Sequence, residues 1–175
     1  MTASGRKSPS TRPWALGYAL IRARQFDAAL NEARVRSDAQ PNDADLHNLV
    51  SQAFFKGMEK EAEEENERAL QLAGEKDLLA EHIGVYRRGG FQAVLEWRLA
   101  GVKQRSAKKY AAPMVFAFAN AQLKRKEETL RYLEESYQQR SPELVFVQND
   151  PNYDFVHSDP RYRAIVKKMG LPPAY

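Results

Sequence analysis

The chain has no cysteine among its 175 residues. Disulfides, thiolate metal sites and cysteine nucleophiles are therefore excluded together, and the absence fits a reducing compartment such as the cytoplasm. No run of about eighteen apolar residues occurs, so no segment is predicted to span a membrane. The first residues, MTASGRKSPSTRPW, are polar and basic without an apolar stretch behind them, which does not match a secretory signal. We expect residues 1–12 to form a disordered basic arm.

Recognisable catalytic and cofactor motifs are also missing. The sequence contains no Gly-x-Ser-x-Gly elbow, and Gly89-Gly90 lacks the further glycine and lysine of a phosphate-binding loop. His47, His82 and His157 are isolated, whereas metal sites need clustered ligands. The acidic run 59–67 is typical of a solvated helix face. The sequence therefore predicts no enzyme activity, no cofactor and no metal.

Charge is mildly basic and spread along the chain. Twenty-seven Lys and Arg oppose 23 Asp and Glu, for a net charge of +4 and a pI near 9.3. Proteins that bind nucleic acid usually concentrate basic residues on one face, so nucleic acid is not the expected partner. Weak nucleic-acid binding is kept as an alternative because the pI is basic.

Apolar residues recur with helical spacing, and no two-residue alternation indicates a strand. The pattern predicts four helix pairs, with Asp43 as an N-cap. The tail 141–175 differs: Ser141-Pro142 and Asp159-Pro160 each predict an N-cap followed by proline in the first helical turn. The helices are predicted at 14–24 and 26–39, 43–56 and 59–73, 77–88 and 91–106, 111–124 and 126–139, 143–148, and 160–169.

Two of these pairs repeat one another with a period in the low thirties, which is typical of stacked helical hairpins. One such hairpin cannot bury its apolar face alone, so a neighbour must cover it. The first two pairs resemble the tetratricopeptide repeat (TPR) family. The matching residues are Leu16-Gly17, Leu20, Ala29 and Pro41 in the first pair, and Leu46, Leu49, Gly57, Ala62, Ala69 and Leu70 in the second. Lys124 and Thr129 stand at the glycine and alanine positions of the fourth pair.

The second half is similar to the C-terminal end of bacterial multidomain regulators that carry such repeats, including Ser/Thr kinases and winged-helix activators. The resemblance rests on Gly89-Gly90-Phe91, Ser141-Pro142-Glu143-Leu144-Val145-Phe146, Asp150-Pro151-Asn152-Tyr153-Asp154, Ser158-Asp159-Pro160-Arg161-Tyr162 and Met169-Gly170-Leu171. It implies an all-α, right-handed solenoid of about four helix pairs over 13–175, closed by a capping tail.

The resemblance implies a non-catalytic protein that captures a peptide or partner helix in a concave groove. An acidic or C-terminal segment is the expected ligand, since Arg22 and Arg87 could pair with a carboxylate beside Phe55. Phe54, Tyr86 and Phe116 are predicted to be core. The alternatives are a sensing module of a larger regulator and self-association. The groove residues implied are Trp14, Tyr18, Arg22, His47, Asn48, Ser51, Phe55 and Arg87.

Overall fold

The computed structural model describes residues 15–44, 46–47 and 57–171. Among these residues every regular element is a helix, which confirms the all-α prediction. The chain divides into two compact units between Lys76 and Asp77, whereas the sequence predicted one domain over 13–175. Contacts in a chain of hairpins are mainly local, so such a division arises readily. Residues 1–12 lie outside the described part.

The helix bounds agree with the predicted pairs to within a few residues, except in the tail. The tail forms two short 3₁₀ helices, and the second of them was not predicted. The sequence-predicted helix 43–56 falls largely outside the described residues. The elements are α1 (Ala15–Arg22), α2 (Phe26–Ala39), α3 (Glu59–Leu72), α4 (Lys76–Ser106), α5 (Pro113–Gln122), α6 (Lys126–Gln138), the 3₁₀ helices Pro142–Phe146 and Pro151–Val156, and α7 (Pro160–Lys168).

The three predicted N-cap residues stand at helix starts, and two of their side chains make capping hydrogen bonds. The carboxylate of Asp43 accepts from the backbone N–H of Leu46 at 3.3 Å, and that of Asp159 accepts from the N–H of Arg161 at 2.8 Å. Ser141 is the N-cap of the first 3₁₀ helix, with proline following as predicted, but its side chain makes no capping hydrogen bond. Its backbone N–H instead donates to the carbonyl of Ser136 at 3.0 Å and closes the end of α6.

Left-handed backbone conformations mark the repeat more regularly than the side chains do. Among the residues with positive φ, Arg24, Gly57, Gly90 and Lys124 are 33, 33 and 34 residues apart, and the others described are Gly74, Arg140 and Gly170. At Arg24 and Lys124 the turn is closed by a six-residue hydrogen bond between backbone groups. This spacing matches the period in the low thirties that the apolar pattern showed in the first two pairs.

In the first unit, small side chains let α1 and α2 approach closely. Ala29, Ala33, Ile21 and Leu30 form its buried cluster, and Tyr18, among others, packs against it. Ala62 on α3 is also fully buried. Alanine occupies these positions because a larger residue would force the helices apart.

In the second unit, the tail covers the last hairpin as predicted. Apolar residues of both 3₁₀ helices and of α7 share one buried cluster with α5 and α6. The members are Ala117, Ala121, Leu130, Leu133, Leu144, Val147, Tyr153, Val156, Tyr162, Ile165 and Val166.

Ion pairs fasten the tail to α6. The guanidinium of Arg161 donates to both oxygens of Glu134, at 2.8 and 2.7 Å, and to Glu127 at 2.9 Å. Lys126 contacts the carboxylate of Asp159 at 2.8 Å. Hydrogen bonding to Arg161 lowers the pKa of Glu134, and hydrogen bonding to Lys126 lowers the pKa of Asp159. The Ser-Asp-Pro-Arg motif thus both begins α7 and holds it in place.

Gly90 interrupts α4 with φ 66° and ψ −161°, a conformation essentially limited to glycine. We expect Gly90→Ala to lower the free energy of unfolding by about 1–3 kcal/mol because of this backbone strain. Gly101→Ala is the matched control: the new Cβ would meet only the flexible Arg105 guanidinium at 3.2 Å. That change should be neutral or stabilise by up to about 1 kcal/mol. Urea denaturation measures both, and equal effects would contradict the assignment of strain to Gly90.

The ion pairs predict a pH-dependent contribution to stability. Glu134 and Asp159 have lowered pKa values when folded, so their contribution is complete above their ordinary values of 4.5 and 3.8 and is lost as the pH falls through the folded values. Because Glu134 and Arg161 are each more than a third exposed, screening limits the loss in Arg161→Met to about 1 kcal/mol at pH 7.

We expect the stability difference between wild type and Arg161→Met to shrink as the pH falls below about 4. Thermal unfolding across pH measures it. Arg163→Met is the control, since Arg163 contacts only the carbonyl of His157, at 3.4 Å. A difference that does not change with pH would show that Arg161 acts through packing and not through its charge.

Candidate partner-binding surface

Helix α5 contacts neighbours on three of its sides. Phe116, Ala119 and Leu123 pack against Leu95 and Leu99 in the second half of α4. On an adjacent side of the helix, Ala117 and Ala121 belong to the buried cluster that includes residues of α6 and the tail. The ring of Phe116 also stacks on Tyr132 of α6, with centroids 4.9 Å apart. Phe116 is therefore core, as the sequence predicted.

The fourth side of α5 is exposed, yet it is apolar. Val115 and Phe118 are three residues apart and lie on one face of the helix, with 45% and 37% of their surface exposed. Gln122 extends the same face by one turn. The helix PMVFAFANAQ has no charged residue, and a helix that is hydrophobic all round is normally covered on all sides. We call Val115, Phe118 and Gln122 the open face of α5.

The predicted groove residues are only partly described. Trp14, Asn48, Ser51 and Phe55 lie outside the described residues, as does the predicted core residue Phe54. Tyr18 and Arg22 lie four residues apart on α1, and both are half-buried. Tyr18 packs against the core of the first unit, so only part of its ring could contact a ligand.

Arg87 lies on the first half of α4 and is exposed, but its neighbour Arg88 is the repeat counterpart of Arg22. Arg22 lies two residues before the turn at Arg24, and Arg88 lies two residues before Gly90. A Cβ at Gly84 would lie 3.2 Å from a guanidinium nitrogen of Arg88. The missing side chain there leaves room for the guanidinium along the helix.

His47 differs from the expected groove residue, because it is buried with only 7% of its surface exposed. Its Nδ1 lies 2.5 Å from a carboxylate oxygen of Glu65 on α3, and its Nε2 lies 3.2 Å from the carbonyl of Pro41. Both ring nitrogens therefore have a hydrogen-bonding partner inside the protein. His47 connects α3 to the loop after α2 and does not present its ring to a ligand.

Ser37, His47 and Glu65 have the residue types of a hydrolase triad but not its geometry. The Ser37 hydroxyl lies 3.5 Å from Nδ1, the same nitrogen that faces Glu65. A triad needs the nucleophile on one nitrogen and the carboxylate on the other, and here the carbonyl of Pro41 occupies the second. This group therefore cannot activate a serine as arranged.

Other kinds of site find little support in the described residues. No group of three or more His, Asp or Glu among them could hold a metal ion. None of the described helices is long and apolar enough to cross a membrane. An open depression of about 520 Å³ follows the loop Gln40–Ala44, but it is shallow and lacks the convergent polar groups of a small-molecule site.

Comparisons with known proteins do not assign the chain. It matches no family model, and neither a curated protein nor a solved structure is significantly similar to it.

The sequence could have indicated the open face of α5. The signal is a ten-residue helix without charge between two strongly basic segments, 103–109 and 124–126. We predicted core for Phe116 and assigned no role to Phe118, although the two lie on different sides of the helix.

We expect His47→Phe to lower the free energy of unfolding by about 1–3 kcal/mol, because Glu65 and the Pro41 carbonyl lose their hydrogen-bonding partner. Glu65→Gln should cost less, since its amide oxygen still accepts from Nδ1. Urea denaturation of both variants provides the comparison. If His47→Phe is as stable as wild type, the ring serves only to fill space.

Proposed function

We propose that this protein is a non-catalytic, TPR-like helical-repeat protein that binds a peptide or a helix of a partner protein. The observation that carries the proposal is the open face of α5. A helix buried on three sides that exposes Val115 and Phe118 on the fourth, without a charged residue, presents a surface suited to an apolar partner.

The repeat geometry supports the TPR-like assignment. Four turns with positive φ, at Arg24, Gly57, Gly90 and Lys124, are 33 or 34 residues apart, close to the period of this class of repeat. Alanine is buried five residues after the turns at Arg24 and Gly57, and Thr129 is buried five residues after Lys124. We propose a right-handed stack in which first helices of the pairs line a concave surface, as in other solenoids.

Neighbouring charge favours a partner with carboxylates. The repeat spacing assigns Arg88 to the position that Gln122 occupies on α5. Arg87 and Arg88 are both exposed, and neither forms an ion pair within the described part of the chain. A partner that packs an apolar side chain against Phe118 would gain affinity from this contact. A carboxylate of the same partner paired with Arg88 would fix its orientation. The absence of cysteine is consistent with the cytoplasmic location that we propose.

The test uses a peptide selected from a random display library on the wild-type protein. We expect the double variant Val115→Ser with Phe118→Ser to bind this peptide at least tenfold more weakly. A tenfold weaker affinity corresponds to the loss of about 1.4 kcal/mol of binding free energy. The control is Val145→Ser with Phe146→Ser, a tail pair whose exposure, 48% and 43%, is similar. Isothermal titration calorimetry measures both affinities.

The two double variants differ in place but not in chemistry. Equal losses in both, or no loss in the α5 variant, would contradict binding at the open face. Circular dichroism checks that each variant keeps its helix content. Arg88→Gln should reduce binding of peptides that carry carboxylates and leave neutral peptides unaffected.

A further inference from the structure

Some cations in the second unit are neutralised within the molecule: Arg125 pairs with Glu96 at 2.5 Å, Lys126 with Asp159, and Arg161 with Glu134. Others are exposed and form no ion pair within the described residues, among them Arg87 and Arg88 on the first half of α4. Five more of these exposed cations are Lys103, Arg105, Lys108, Lys109 and Arg140.

These unpaired cations lie close together at the end of α4. The backbone N–H groups of Lys108 and Lys109 both donate to the carbonyl of Arg105, at 3.1 and 3.0 Å. Four of the cations are therefore held within about two helical turns of one another. From Trp97 to Lys126 the sequence contains no Asp or Glu, so nothing in this segment offsets their charge.

Tyr110 links the fifth cation to this group. Its hydroxyl donates to the side-chain oxygen of Gln139 at 2.7 Å. Gln139 is the residue directly before Arg140 in the chain. The hydrogen bond fixes the ring, and 75% of the surface of Tyr110 stays exposed. We call Lys103, Arg105, Lys108, Lys109, Tyr110 and Arg140 the basic patch.

We propose that the basic patch binds single-stranded nucleic acid, with phosphates on its cations and one base stacked on Tyr110. Unpaired cations around a fixed, exposed aromatic ring are the combination used for this ligand. A duplex would offer phosphates but no free base face to the ring. An acidic peptide or an anionic membrane would use the charge and leave the ring without a role. This binding is separate from the proposed capture of peptides and does not depend on it.

The test measures fluorescence anisotropy of a labelled 15-nucleotide oligothymidylate with the full chain over a range of salt. Each phosphate contact contributes about 0.7 to the slope of log K against log salt. We therefore expect Lys108→Ala with Lys109→Ala to make the slope shallower by about 1.4. Tyr110→Ala should weaken binding about tenfold through lost stacking, whereas Tyr110→Phe keeps the ring and should stay within about threefold of wild type.

Arg87→Ala with Arg88→Ala is the matched control, because it removes the same charge from an exposed pair on the first half of α4. It should leave the oligonucleotide affinity within about twofold of wild type. Val115→Ser with Phe118→Ser should also bind the oligonucleotide normally, so failure of this proposal and failure of peptide capture are distinguishable.

Several results would overturn the proposal. They are the absence of binding at low salt, an equal loss in the Arg87 and Arg88 variant, and a Tyr110→Ala variant that binds like wild type. Competition by polyglutamate as effective as that by unlabelled oligonucleotide would instead identify a surface for acidic proteins. If the basic patch is needed for binding to phosphatidylserine vesicles but not for binding to the oligonucleotide, the patch would be a membrane-binding surface.

Discussion

The second unit depends on the burial of α5. A ten-residue helix is too short to be stable alone in water, so its neighbours must hold it in place. The aromatic residue Phe116, together with Ala117, Ala121 and Leu123, meets α4, α6 and the tail, and each contact removes apolar surface from water. This requirement explains why the helix has no charge. It does not explain Val115 and Phe118, because a side exposed to water would tolerate polar residues at no cost to the packing.

Local signals predicted most of the fold. Helical periodicity placed the helices, and the carboxylates of Asp43 and Asp159 marked two of the starts because they bond backbone N–H groups within a few residues. The 3₁₀ helix Pro151–Val156 was missed because Asp150-Pro151 looks the same whether a turn or a short helix follows. The turns at Arg24 and Lys124 were predicted, but their left-handed conformation was not, since that conformation is usually associated with glycine.

The candidate site was less predictable than the fold, because it depends on which neighbour covers each side of a helix. Repeat register alone assigned His47 to a groove, yet Glu65 and Pro41 lie close enough to bury its ring. Sequence spacing likewise could not choose between Arg87 and Arg88 without the observed break at Gly90. Phe116 and Phe118 are both aromatic residues of one helix, and only the packed structure shows that the first is core and the second exposed.

The docked tail also determines where positive charge remains. Arg161 engages Glu127 and Glu134, and Lys126 engages Asp159, so these three carboxylates are occupied by cations of their own region. The cations at the end of α4 are left without such partners. Helix ends favour nearby cations by only about 0.3–1 kcal/mol each at the surface, and like charges three or four residues apart oppose this by about 0.2–0.5 kcal/mol per pair. A group of cations that the fold brings together without neutralising is better explained by a ligand than by stability.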